Sequence, residues 1–307
     1  IDMGLHGWAM SRFAGVWTAM TVTPELMDGS GIYLPSTQEF LIPETAPGYS
    51  THGGRFVPRL QDRVVVEQTL REIRLPAALS YIRHNQLNKK VLGPTQAKFG
   101  IITSGHGMGL MYDLFAELGI DEDILQEASV AVYKVGVTWP LEPQGLTEFA
   151  TTKHSILVLD PKRRFLEPQI RDILYHHPQR PMIWGKTDAQ GQPLLSEVVT
   201  LESKDCARAL LKLLTIGGDN ELVERLQQFL EPLDQKTEAK VFSERVPHFC
   251  SGCPHNTGTR VLPNARVGAG IGCHAMVQLQ EGKSTEGYTH MGGEGMTIIG
   301  AAPFREP

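Results

Sequence analysis

Apolar positions repeat most regularly between Lys98 and Lys186. The short aliphatic runs FGIITSG, VAVYKVG, SILVLD and PMIWGK alternate there with the helix-period segments GMGLMYDLFAELGI, GLTEFATTK and FLEPQIRDILYHH. That alternation predicts βαβ units and a parallel sheet, because parallel neighbours are joined through crossovers. Beyond it, SKDCARALLKLL places Cys206, Ala207, Leu210, Leu211 and Leu214 on one helical face, which makes Cys206 a core residue. NELVERLQQFLEPL repeats the arrangement with Leu222, Val223, Leu226 and Phe229. Near the start, Leu5, Trp8, Ala9, Phe13, Val16 and Trp17 recur close to helical spacing among small residues, which predicts a buried helix over residues 2–20. Residues 24–54 are dense in Pro, Gly, Ser and Thr, with only FLIP resembling a short strand, and predict an irregular connector. A polar, amphipathic stretch from Asp62 to Leu92 follows, interrupted at Pro76. No internal repeat is present.

Composition narrows the partners more than the fold. With 29 basic and 34 acidic residues the formal charge is −5, and the absence of any run of five like charges argues against nucleic acid or an anionic membrane as partner. No apolar stretch approaches the ~20 residues of a membrane span, and IDMGLHGWAM lacks the pattern of a secretion signal. The expectation is a soluble, cytoplasmic protein. Four cysteines in 307 residues are too few for a disulfide scaffold, which suits a reducing compartment.

Three of those cysteines lie in RVPHFCSGCPHNTGTRVLPNARVGAGIGCHAM, residues 245–276. Cys250-Ser-Gly-Cys253 lets two sulfurs face one point, and Cys273 returns among glycines that admit a bound group close to the backbone. An iron–sulfur cluster wants four thiolates. A structural zinc wants four ligands, to which His255 or His274 can contribute. Spacing alone leaves iron–sulfur, zinc, a redox dithiol and plain packing all open. The tail GYTHMGGEGMTIIGAAPF surrounds Glu294 with Gly292, Gly293 and Gly295; it reads either as a backbone cradle for phosphate or as a simple turn. SGHGMG, residues 104–109, sits where a strand meets a helix but lacks a full dinucleotide fingerprint. KVGVTWPLEP reads as a Trp-Pro turn, His6 as a satisfied core histidine and Arg12 as a helix-end ion pair.

Taken in order, DMGLHGWAMSRFAGVW, VYKVGVTWPLEP, FCSGCPHNTGTRV, GIGCHAM and THMGGEGMTIIGAAPF resemble the indolepyruvate ferredoxin oxidoreductases, most closely their long fused bacterial form within the 2-oxoacid:ferredoxin oxidoreductase superfamily. The resemblance spans the chain, and is strongest from Arg245 to Phe304. It implies an arylpyruvate decarboxylated with thiamine diphosphate and magnesium, electrons passing through iron–sulfur centres to ferredoxin, and the acyl group passing to coenzyme A. It implies Cys250, Cys253 and Cys273 as ligands of a 4Fe-4S cluster, with Gly272, His290, Met291, Gly292, Gly293, Glu294 and Gly295 lining the cofactor and His255 and His274 near the reacting centre.

The implied α/β architecture is a transketolase-C-like parallel-sheet domain at 95–190, flanked by pieces of two thiamine-binding domains. Residues 1–23 are the last helix of the pyrimidine side, 24–94 a connector with short strands and a helix, 191–242 a helical linker, and 243–307 the start of the pyrophosphate side. IGGDN at 216–220 does not occupy the place of the family's Gly-Asp-Gly magnesium motif, which is expected after Pro307; the activating glutamate is expected before Ile1. The chain alone is therefore expected to be inactive and the site to be built in an oligomer. The rival reading is a non-catalytic docking protein whose cysteines and a histidine hold zinc.

Overall fold

The computed structural model describes residues 1–32, 63–218, 220–235, 247–261, 265, 267–280, 285, 287–288 and 290–305; the FLIP segment lies outside them. Two compact units, residues 1–236 and 237–307, divide the chain.

The first unit opens with α1 (Asp2–Ala14) and the short α2 (Pro24–Asp28). The helix of the first segment is shorter than expected, because Gly15 takes the left-handed conformation at φ 70° and closes α1. Its buried face is also different: His6, Met10, Phe13 and Ala14 are covered, while Trp8 and Trp17 are exposed. Phe13 is buried as expected, but Trp8 lies on the outer face of α1 and Trp17 beyond its end. His6 is a satisfied core histidine, with Nδ1 3.1 Å from the Tyr81 hydroxyl. Arg12 makes no ion pair among the described residues.

Residues 63–84 run as α3 (Arg63–Thr69), a π-helical turn (Leu70–Arg74) and α4 (Leu75–His84). Pro76 stands in the first turn of α4, where its missing N–H is least costly, and the wide turn comes immediately before it. Ala77, Ala78, Tyr81 and Ile82 of α4 meet Met10, Phe13 and Ala14 of α1 in a small core.

Next come β1 (Asn88–Leu92), β2 (Phe99–Ser104), α5 (Gly105–Glu117), α6 (Glu122–Glu127), β3 (Val130–Val135), α7 (Pro143–Ala150), β4 (Ser155–Leu159), α8 (Leu166–Leu174), β5 (Met182–Trp184), α9 (Ser203–Leu214) and α10 (Glu221–Gln235). The sheet order is β1-β3-β2-β4-β5, with β1 antiparallel and the other pairings parallel. The four parallel strands bear out the reading of 98–186. The antiparallel edge strand corrects the reading of residues up to Leu92, whose charged NKKV suits a solvated edge.

Side chains alternate across the sheet with period two. Phe99, Ile101, Val130, Val132, Leu157 and Leu159 face α5, α6, α9 and α10. Ile102, Ala131, Tyr133, Val135, Ile156 and Val158 face α7 and α8. Cys206 is fully buried in the first of these layers, and burial pushes its thiol pKa up to about 12. Helix starts are fixed by side chains. Asp121 caps α6, Glu142 caps α7, and Glu202 with Asp205 forms a capping box on α9.

Helix α5 approaches the sheet closely at Gly107. A Cβ there would stand 2.2 Å from Thr103 Oγ1 and 3.1 Å from the Leu159 carbonyl, to which Thr103 donates at 2.9 Å. Gly107→Ala is expected to lower stability by about 1–3 kcal/mol. Urea unfolding of the chain measures it; an unchanged midpoint would contradict this packing.

Candidate functional site

In an open parallel sheet, ligands favour the carboxyl ends of the strands where the strand order reverses. Here that point lies between β2 and β4, beside SGHGMG. The chain's own backbone ties down the loops there. Asp160, just after β4, accepts N–H bonds from Phe165, Leu166 and Glu167 and so holds the start of α8. Buried Lys186 donates to the carbonyls of Asp160 at 2.7 Å and Ser196 at 2.8 Å. Burial holds its pKa below the usual lysine value. The Leu201 N–H donates to the Pro161 carbonyl, and His106 Nε2 lies 3.4 Å from the Leu201 carbonyl. Residues 195–201 therefore lie across the ends of β2 and β4, and SGHGMG opens α5 beneath a strap. The Asp160–Lys186 network escaped sequence reasoning, because its partners are backbone carbonyls and amides far apart in the chain.

The second unit holds the remaining candidates. Its elements are α11 (His255–Gly258), a 3-10 helix at Gly272–Leu279, α12 (Met296–Ala301) and a 3-10 turn at Ala302–Phe304. Cys250-Ser-Gly-Cys253 forms a four-residue turn. The Cys253 N–H donates to the Cys250 carbonyl at 3.0 Å, and Gly252 sits at φ 75°, a conformation that only glycine adopts without strain. The turn delivers His255 to the start of α11, with Nδ1 3.2 Å from Cys253 Sγ. Phe249, buried, stacks on the His255 ring at a centroid distance of 5.1 Å and 27°. The His274 ring lies 5.9 Å from that of His255. Phe249, Ala269 and Val277 form a small core on which Cys253 and Met276 pack. The structure thus groups Cys253, His255 and His274, and adds Phe249, whose only sequence signal was its place beside Cys250.

The two glycine-rich stretches also meet. The Ala269 N–H donates to the Gly287 carbonyl at 3.1 Å, and a Cβ on Gly270 would lie 3.1 Å from His274 Nδ1 and 3.5 Å from Glu294 Cγ. Gly293 N–H donates to the His290 carbonyl at 3.0 Å, and Gly292 N–H to Glu294 Oε2 at 2.9 Å. Gly292 and Gly295 have φ of 87° and 82°, and a Cβ on either would meet nothing within 4 Å. The turn through Gly292 and Gly295, like Gly272 at φ 76°, therefore presents bare main chain beside open space. Cys250 and Cys273 are exposed, Cys253 is half-buried beside His255, and among the described residues no group of three or more His, Cys, Asp or Glu is arranged to hold a metal ion.

His274 Nδ1 accepts the Gly270 N–H at 2.8 Å, so the neutral ring must carry its proton on Nε2. Nitrogen-15 NMR of the imidazole should show the Nε2–H tautomer. A predominant Nδ1–H form would contradict the contact.

Residues 89–240 match the model of the indolepyruvate oxidoreductase domain. The chain is similar to the indolepyruvate oxidoreductase subunit IorA of Pyrococcus abyssi, 25% identical over 212 residues, covering 66% of this chain and 29% of that protein. The same subunit of Methanothermobacter marburgensis is 25% identical over 171 residues, covering 56% of this chain and 24% of that protein. The chain thus spans less than a third of the length of these relatives. Among solved structures, the 2-oxoglutarate:ferredoxin oxidoreductase of Magnetococcus marinus, with 2-oxoglutarate, coenzyme A and succinyl-CoA bound, matches at a TM-score of 0.35 and 14% identity, covering 61% of this chain and 32% of that one. These matches agree with the family expected from the sequence: residues 89–240 are similar to the indolepyruvate oxidoreductase domain, and the relatives are indolepyruvate oxidoreductase subunits.

Proposed function

We propose that the chain is part of a thiamine diphosphate-dependent indolepyruvate:ferredoxin oxidoreductase. The enzyme decarboxylates an arylpyruvate, passes the acyl group to coenzyme A and reduces ferredoxin. The observation that carries the reading is the indolepyruvate oxidoreductase domain over residues 89–240, which runs from β1 through α10. The glycine turn of the second unit supports the cofactor assignment. The proposal keeps 1–23 as the end of a pyrimidine-side domain, 24–94 as a connector, 95–190 as a transketolase-C-like domain, 191–242 as a helical linker, and 243–307 as the start of a pyrophosphate-side domain in an oligomeric enzyme.

Thiamine diphosphate, when bound with magnesium, supplies the electron sink that decarboxylation of a 2-oxo acid needs. This chain's part is to hold and orient. Gly272 and the run His290, Met291, Gly292, Gly293, Glu294 and Gly295 would line the cofactor with backbone. Glu294, already accepting the Gly292 N–H, keeps that turn in shape. His274 offers its Nε2–H as a donor to a neighbouring oxygen, since its Nδ1 is occupied. His255 is held by Phe249 and faces Cys253.

Gly292→Val tests the cofactor turn, since a β-branched residue resists φ 87°. In the protein expressed from its complete coding sequence, thiamine diphosphate affinity should fall about tenfold, the equivalent of roughly 1.4 kcal/mol, with the circular dichroism spectrum retained. Unchanged affinity would remove the turn from the cofactor pocket.

A further inference from the structure

The turn between β1 and β2 gathers two ammonium groups that no carboxylate pairs. Lys90 Nζ donates to the Gly93 carbonyl, while Lys153 Nζ donates to the Thr95 carbonyl at 3.1 Å and to Thr152 Oγ1 at 2.6 Å. Thr152 Oγ1 in turn donates to the Thr95 carbonyl at 3.2 Å, which ties residues 93–95 to the turn that precedes β4. Lys153 is only 5% exposed, and its Nζ lies 4.6 Å over the Phe149 ring, which packs on Tyr133 at 5.0 Å. Lys90 stands opposite Tyr133 in the β1–β3 ladder, so its side chain shares that face of the sheet.

The neighbouring acids are otherwise engaged. Glu122 accepts the Gly93 N–H at 2.9 Å, and Glu142 and Glu148 of α7 pair with Arg83. Neither Lys90 nor Lys153 makes an ion pair among the described residues. Burying an ammonium without a counterion is costly. Burial, together with the Lys90 charge, pulls the Lys153 pKa down to about 8. Each ammonium has three N–H donors. Lys153 uses two and Lys90 one, which leaves three without an acceptor among the described residues. Two positive charges and three free donors match a phosphate group, which carries nearly two negative charges at neutral pH and several acceptor oxygens, better than a carboxylate with one charge.

We propose that Lys90 and Lys153 form an anion site at the amino edge of the sheet, and that it takes the phosphate group of inorganic phosphate or of a phosphate monoester. Lys153 is the fixed member, held by Thr95, Thr152 and the Phe149 ring, and Lys90 is the exposed one. The site lies at the opposite end of the strands from the strap of residues 195–201. It stands on the local geometry alone and does not depend on the oxidoreductase reading.

The test is calorimetric titration of the purified chain, in phosphate-free buffer, with inorganic phosphate and with adenosine 5′-monophosphate. Tighter binding of the nucleotide identifies a monoester as the ligand; equal or weaker binding identifies the free ion. Lys90→Met and Lys153→Met should each weaken binding about tenfold. Because Lys90 is exposed, its replacement keeps the test readable even where Lys153→Met fails to fold. Lys89→Met, one residue along β1 and on the other face of the sheet, should leave binding unchanged. Lysine-selective NMR should show the Lys153 titration move above about 8 as phosphate binds, since the anion favours the charged form. No binding of either probe, or equal weakening by Lys89→Met and Lys90→Met, would overturn the proposal. Such a failure would leave the thiamine turn and its Gly292→Val test untouched.

Discussion

The parallel pairing on both sides of β2 is the constraint on which the first unit depends. Its six residues register with β3 from Phe99↔Val130 to Ser104↔Val135, and with β4 from Phe99↔Ser155 to Thr103↔Leu159. One fully enclosed strand therefore fixes where two others end. Because β2 is covered on both faces, its alternate residues belong to two different cores, and a one-residue slip would exchange them. The close seat of α5 at Gly107 follows from that register, since the glycine lies over Thr103 and the Leu159 carbonyl. The loops at the carboxyl edge inherit their positions, and the Lys186 and Leu201 hydrogen bonds then lay residues 195–201 across the strand ends. A place that open sheets commonly leave for ligands is used here for the chain's own backbone.

The second unit works on a smaller scale. Left-handed glycines, rather than a long element, shape it. Gly252 turns one cysteine towards the other, while Gly292 and Gly295 expose bare main chain beside open space. Aromatic stacking does the positioning that a larger core would otherwise do: Phe249 orders His255, which orders Cys253. Its chemistry therefore rests on a few contacts between neighbouring turns.

Much of the first unit was legible because its physics is periodic. Aliphatic runs buried on both faces announce parallel strands, and the faces of α9 and α10 with Cys206, Leu210, Leu222 and Leu226 are amphipathic helices by spacing. Strand β1 was legible only as one of the short strands expected within 24–94 and not as a partner of the parallel sheet, since two of its five residues are lysines and its apolar content is low. Its pairing comes from its neighbour: Asn88 Oδ1 accepts the N–H groups of Gly136 and Val137. The start of the chain misled for a related reason. Trp8 and Trp17 carry the apolar signal yet face outward, and the buried stripe includes a histidine matched to Tyr81. In the second unit the residue types were visible but their grouping was not. Spacing left the role of the three cysteines open, and the contact of Cys253 with His255 and of His274 Nδ1 with the Gly270 N–H arises from turns and backbone hydrogen bonds that spacing does not encode.

The most direct measurement is turnover by the protein expressed from its complete coding sequence, prepared without oxygen and supplied with thiamine diphosphate, magnesium, coenzyme A and a ferredoxin. The account predicts that indolepyruvate drives coenzyme A-dependent reduction of the ferredoxin, with an aryl acyl-CoA as product. Full occupancy by thiamine diphosphate without any 2-oxo acid-dependent reduction of ferredoxin would contradict it.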